Sequence, residues 1–204
     1  MESFPAEYSD EERRWLLRLA HQSVRSAVTG QTLQAPESTP HLREPRGAFT
    51  TLHEDGLLRG CVGFVFAVEP LERAIRKTAR MAALEDTRFS PVVESELERL
   101  QLEISVLSPM VEIAPQDVLV GLHGLMVTWK NQRGLLLPQV AQEQQWDRET
   151  FLQQTCHKAG LSPDAWKHGI KLEAFTAEVF GESEPGESLR PAPLRASLPP
   201  IEFN

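Results

Sequence analysis

Ala48-Phe49-Thr50-Thr51-Leu52-His53-Glu54-Asp55-Gly56-Leu57-Leu58-Arg59-Gly60-Cys61-Val62-Gly63-Phe64 places two apolar-rich runs on either side of an Asp-Gly pair. Asp-Gly accepts the positive φ angles of a tight hairpin turn, so the stretch predicts strands over 48–53 and 58–64. With the turn at Asp55 and Gly56, Thr50 lies opposite Cys61 and Leu52 opposite Arg59. Side chains alternate between faces. On this register Arg59, Cys61 and Thr50 share one face, while Leu58, Val62 and Phe49 form the core side. An arginine and a thiol then project together from the less apolar face. Gly60 and Gly63 bracket the cysteine, and strand glycines mark a bulge or a close backbone approach. They open the segment to a ligand or to another part of the chain.

Outward from the hairpin, Ser9 and Glu12 form a capping box ahead of an apolar helical stripe from Trp15 to Val28, closed by Gly30. Pro36, Pro40 and Pro45 punctuate a loop long enough to act as a lid. Pro70 opens a second helix with Leu71, Ala74, Ile75, Thr78, Ala79 and Ala82 on one stripe. Leu102, Ile104 and Val106 alternate as a half-buried strand that Pro109 stops. Residues 125–137 predict another hairpin, with a polar turn at 131–134. Residues 149–158 predict a helix, and Ser162-Pro163 the start of a short one. Residues 170–180 alternate as a late strand. Hairpins with helices between them predict an α+β domain over 8–182, with an antiparallel or mixed sheet and packed helices. The Pro- and Ser-rich stretch 183–204 is expected to be a disordered tail.

Composition narrows the function classes. The net charge is −8, with no run of Lys or Arg, which disfavours nucleic acid and anionic membranes. No apolar stretch reaches the roughly 20 residues of a membrane span, and the acidic N-terminus lacks a signal-peptide core. A cytoplasmic location is expected. There are two cysteines, Cys61 and Cys156. In a reducing compartment both are free thiols. Six histidines show no metal-ligand spacing, so no cofactor or metal is expected.

Cys61 is the candidate nucleophile, with Arg59 as a charge that favours thiolate. The competing reading is a small packed thiol, the usual state of a free cysteine. Arg88, in Asp86-Thr87-Arg88-Phe89, is a candidate anion clamp or one half of a structural Asp–Arg turn. Glu103, mid-strand on a polar face, is a candidate general base. His123 precedes a strand and is a candidate proton carrier for the thiol. Gln139, in Leu137-Pro138-Gln139-Val140, either hydrogen-bonds a ligand or caps a strand end. Cys156 sits on a predicted helix as core.

Taken together, these segments resemble the AMMECR-one domain family, called protein A of the AmmeMemoRadiSam system. The segments are Leu58-Arg59-Gly60-Cys61-Val62-Gly63, Gly47 to Leu52, Asp86 with Arg88-Phe89, Glu103 to Pro109, His123-Gly124, Leu137 to Val140, and Lys158 to Leu161 with Trp166. The resemblance implies an α+β fold of two unequal subdomains with the six-residue segment lining a cleft between them. By analogy it implies Memo-like and radical SAM proteins as partners. It implies no particular reaction. Two functions stay open. One is an enzyme, or enzyme component, using Cys61 as nucleophile or acceptor. The other is a small-ligand or protein-binding module built on Arg59 and the backbone amides of the six-residue segment, with Gly60 and Gly63 among its ligand-binding residues.

Overall fold

The computed structural model describes residues 6–32 and 37–182. Pro36 of the proposed lid and the proposed tail after Glu182 lie outside the described residues. The chain is α+β and divides into two compact units. One comprises the described residues up to Leu107 together with those from Glu178; the other is Ser108–Ala177.

The first unit begins with α1 (Asp10–Thr29). Ser9 and Glu12 form the expected capping box, and Gly30 ends the helix at a φ of 72°. A sheet follows, built from β1 (Gly47–Glu54), β2 (Leu57–Phe64) and β3 (Leu100–Leu107). It is completed by β8 (Ala177–Gly181), in the order β2-β1-β3-β8. Asp55 and Gly56 both have positive φ, the two-residue turn that Asp-Gly favours. Between β2 and β3 lies α2 (Leu71–Leu84). Its buried stripe is rich in alanine, which lets the helix lie close on the sheet. Leu16, Leu19, Ile75, Ala79, Leu52, Leu102 and Ile104 are among the buried residues of this core.

The register departs from the sequence expectation by one residue. Cys61 pairs with Thr51 and Gly60 with Leu52, but His53 pairs with Leu58. Arg59 is therefore the extra residue of a β-bulge. Upstream of the bulge the faces exchange: Thr50 faces the helices and hydrogen-bonds Thr78 of α2 at 2.8 Å. Phe49, expected on the core side with Val62, instead pairs with Gly63 on the thiol's face.

The second unit holds a sheet of β4 (Val111–Glu112), β5 (Gly124–Trp129), β6 (Gln132–Leu136) and β7 (Lys171–Phe175). Its order is β4-β7-β5-β6, with antiparallel neighbours. α3 (Pro138–Glu143) and α4 (Arg148–Lys158) complete it. Phe151, Leu152 and Cys156 of α4 are buried with Leu125, Val127 and Leu172. The single late strand expected over 170–180 is two strands, broken at Thr176 and belonging to different sheets. Leu137-Pro138 starts a helix rather than ending a strand, because proline fits the first helical turn. The short helix expected from Ser162 is a 3-10 turn over Ala165–His168.

Candidate functional site

The bulge and the strand pairing assemble the site. Thr51 on the central β1 faces Cys61 on one side and Glu103 on the other. Directly opposed residues share a face, so thiol, hydroxyl and carboxyl form one row across three strands. The Thr51 hydroxyl donates to the Cys61 sulfur at 3.3 Å. Thr51 is 1% exposed. Cys61 is half-buried and Cys156 fully buried, and both are free thiols.

β2 is an edge strand, so the backbone of Cys61 needs partners on its outer side. A side-chain clip supplies them. The Cys61 N–H donates to Asp86 Oδ2 at 2.8 Å. Arg88 Nη2 donates to the Cys61 carbonyl at 3.2 Å. The clip is locked by a bidentate pair, Arg88 Nε to Asp86 Oδ1 at 2.9 Å and Nη2 to Oδ2 at 2.6 Å. Burial alone would raise the Asp86 carboxyl. The hydrogen bonds from Arg88 and from the Cys61 amide nevertheless hold it below the usual range.

Arg59 does not approach the thiol as a free cation. Its Nε donates to Glu96 Oε1 at 2.7 Å, its Nη2 to Glu96 Oε2 at 3.2 Å, and its Nη1 to the Ser90 carbonyl at 2.8 Å. That fork holds the Glu96 carboxyl low. Burial pushes the Cys61 thiol above its ordinary value, ahead of the downward pull of Thr51 and Arg88; Asp86 and Glu103 push it further up. Burial therefore favours the neutral thiol of Cys61 over its thiolate. Glu103 is raised too, by burial alone, and among the described residues its carboxyl has no ion-pair partner.

The bracketing glycines serve packing. A Cβ on Gly60 would stand 2.2 Å from the Ala82 carbonyl oxygen of α2, and one on Gly63 would stand 1.9 Å from the Phe49 ring. The space left by each missing side chain is filled by the protein, not held open for a ligand.

His123 and Gln139 belong to the second unit. His123 Nδ1 accepts the Leu119 N–H at 3.1 Å, tying the ring to its own turn, and burial lowers its pKa. Gln139 lies on α3, and its buried Oε1 has no hydrogen-bond partner among the described residues. Two features escaped the sequence reading. Asp86 holds the Cys61 amide, and Thr51, not Thr50, is the thiol's neighbour. Only the bulge separates Thr51 from Thr50 as partner, and an Asp-x-Arg after a helix does not announce an edge-strand clip. Among the described residues no group of three or more His, Cys, Asp or Glu is placed to hold a metal, and no helix is long and apolar enough to cross a membrane.

Comparison with known proteins places this geometry in context. The AMMECR1 family pattern matches residues 17–180. A Thermococcus onnurineus protein is 43% identical over 199 residues, covering 91% of this chain and 97% of that one. A Methanosarcina barkeri protein is 42% identical over 193 residues, covering 89% and 96%. The crystal structure of the uncharacterised protein PH0010 from Pyrococcus horikoshii is similar with a TM-score of 0.76 at 39% identity. It covers 93% of this chain and 100% of that one.

Proposed function

The chain belongs to the AMMECR1 family, and from that premise we propose that it is an enzyme or enzyme component in which Cys61 acts as nucleophile or acceptor. The observation that carries this reading is the row Cys61–Thr51–Glu103. A neutral thiol needs a base at the moment of reaction. Glu103, raised by burial, is a better base than an ordinary carboxylate. The Thr51 hydroxyl rotates about its C–O bond. It accepts the thiol proton while passing its own toward Glu103, and sulfur is left as thiolate only when a substrate is there to take it. Thiolate chemistry is thereby confined to the occupied site. Arg59 and the Asp86–Arg88 clip position the strand that carries the thiol.

The binding-module alternative relied on Arg59 and free backbone amides. Arg59 is engaged by Glu96 and the Cys61 N–H by Asp86, so the thiol reading is the better supported. His123 and Gln139 both lie in the second unit, His123 tied to its own turn by Leu119. Memo-like and radical SAM proteins are the proposed partners, in the cytoplasm. The test is reconstitution with those two proteins. Cys61→Ser is expected to keep the fold, seen as an unchanged circular dichroism spectrum, and to abolish the joint activity. A fully active Cys61→Ser protein would remove Cys61 from the chemistry.

A further inference from the structure

The charges around Cys61 do not balance. Arg59 is neutralised by Glu96 and Arg88 by Asp86, each through a two-pronged pair. Glu103, on the thiol's own face, has no cation against it among the described residues. Two positions along β3 on the same face stands Ser105, 1% exposed, whose hydroxyl has no hydrogen-bond partner among the described residues. A buried hydroxyl left unpaired forgoes a hydrogen bond that a suitable ligand would restore. The two together present one uncompensated negative charge and one free hydroxyl oxygen, an arrangement that matches a group with several N–H donors and a positive charge.

Resting on the thiol-site reading above, we propose that the thiol face of the first sheet takes a cationic, amine-bearing substrate, whose ammonium group lies against Glu103 and Ser105 while its reacting atom reaches Cys61. This reverses the sequence expectation of an anion clamp at Arg88. That guanidinium is already spent on Asp86 and on the Cys61 carbonyl. The span fits a small molecule. Cys61 and Glu103 stand on strands two places apart, a separation of about 9–10 Å at the usual strand spacing.

The experiment compares two small methanethiosulfonates of opposite charge, one bearing trimethylammonium and one bearing sulfonate. The Cys61 thiolate attacks the sulfenyl sulfur of each, forming a mixed disulfide and releasing methanesulfinate. Rates at Cys61 are read by peptide mass spectrometry on the full chain at pH 8. Glu103→Gln provides the reference ratio for the two reagents. A unit charge roughly 9 Å away, at an effective dielectric of about 20–40 with screening, shifts the cation-to-anion ratio by about tenfold. The expected result is a ratio about tenfold higher in the native chain than in Glu103→Gln, collapsing in 1 M salt. It should also fall as pH drops through the Glu103 titration. Equal ratios in the two proteins, or a salt-independent ratio, overturn the proposal. The salt arm needs no variant and stands even where Glu103→Gln misfolds. The ratio tests substrate charge, whereas absolute rates test the nucleophile, so either reading can fail without the other.

Discussion

Gly60→Ala separates a glycine kept for packing from one kept for ligand access. A Cβ at this position would meet the Ala82 carbonyl oxygen at 2.2 Å and its carbonyl carbon at 3.1 Å. Both obstacles are backbone of α2, not the far end of a side chain that swings away. Accommodating the methyl requires the helix or the edge strand to retreat by about 1 Å across a close-packed core. Overpacking of this kind costs typically 1–3 kcal/mol, and rigid backbone on both sides places this case near about 3. The gain from replacing a strand glycine offsets only about 0.5–1 kcal/mol of that. With about 2–4 °C per kcal/mol for a chain of this size, the net loss of roughly 2 kcal/mol lowers the melting temperature by about 4–8 °C. Thermal unfolding followed by circular dichroism reads it. Gly56→Ala is the control. Nothing lies within 4 Å of its Cβ, so it carries only the strain of a φ of +77°, about 1 kcal/mol. A Gly60→Ala protein that melts within 2 °C of the native chain refutes the packing account and returns this glycine to ligand access.

Three further outcomes follow from the same geometry. Asp86→Asn breaks the clip on Cys61 and costs about 2 kcal/mol near neutral pH, the usual range for a hydrogen bond to a charged group. Because the folded Asp86 carboxyl titrates low, its contribution is present above the unfolded value near pH 4 and is lost as pH falls through the folded one. The acid limb of a stability-versus-pH curve should therefore flatten in the variant, and an unchanged limb contradicts the role. Glu103 has the opposite sign: its folded pKa is raised, so its ionisation weakens the fold as pH rises through that value. Glu103→Gln should melt higher than the native chain at pH 8 and no higher at pH 4; a variant less stable at pH 8 would reveal a hidden partner for the carboxylate. Ser9→Ala removes a capping box seen in both directions and should cost about 1 kcal/mol in chemical unfolding.

Much of the fold can be read from local chemistry. The Ser9–Glu12 box, Gly30, the Asp55-Gly56 turn and the alanine stripe of α2 each act through their immediate neighbours in sequence, and each appears where the pattern places it. Cys61, Glu103 and the glycines could be located the same way. Their relations could not. A one-residue bulge at Arg59 moves the partner of Cys61 from Thr50 to Thr51 and turns Phe49 to the thiol's face, since register has a period of two. That bulge lies beside Gly60, where the helix α2 presses its Ala82 carbonyl against the strand, a contact between residues 22 positions apart. The state of Arg59 depends on Glu96 and Ser90, more than thirty residues away. The break at Thr176 is likewise hidden from local reading, because a single residue separates β7 from β8 while the two join different sheets. Charge type predicts what a residue can do; which partner it has already taken is a property of the fold.

The central claim is that Cys61 rests as a neutral thiol and awaits a base. Its alkylation rate by neutral iodoacetamide, followed across pH 6–11 by peptide mapping, tests that most directly. The account predicts an apparent pKa above the ordinary thiol value of about 8.5, and a lower one in Glu103→Gln, where a neighbouring negative charge is gone. An apparent pKa well below 8.5, unmoved by the substitution, would mean a resting thiolate activated by some other group and would contradict the account.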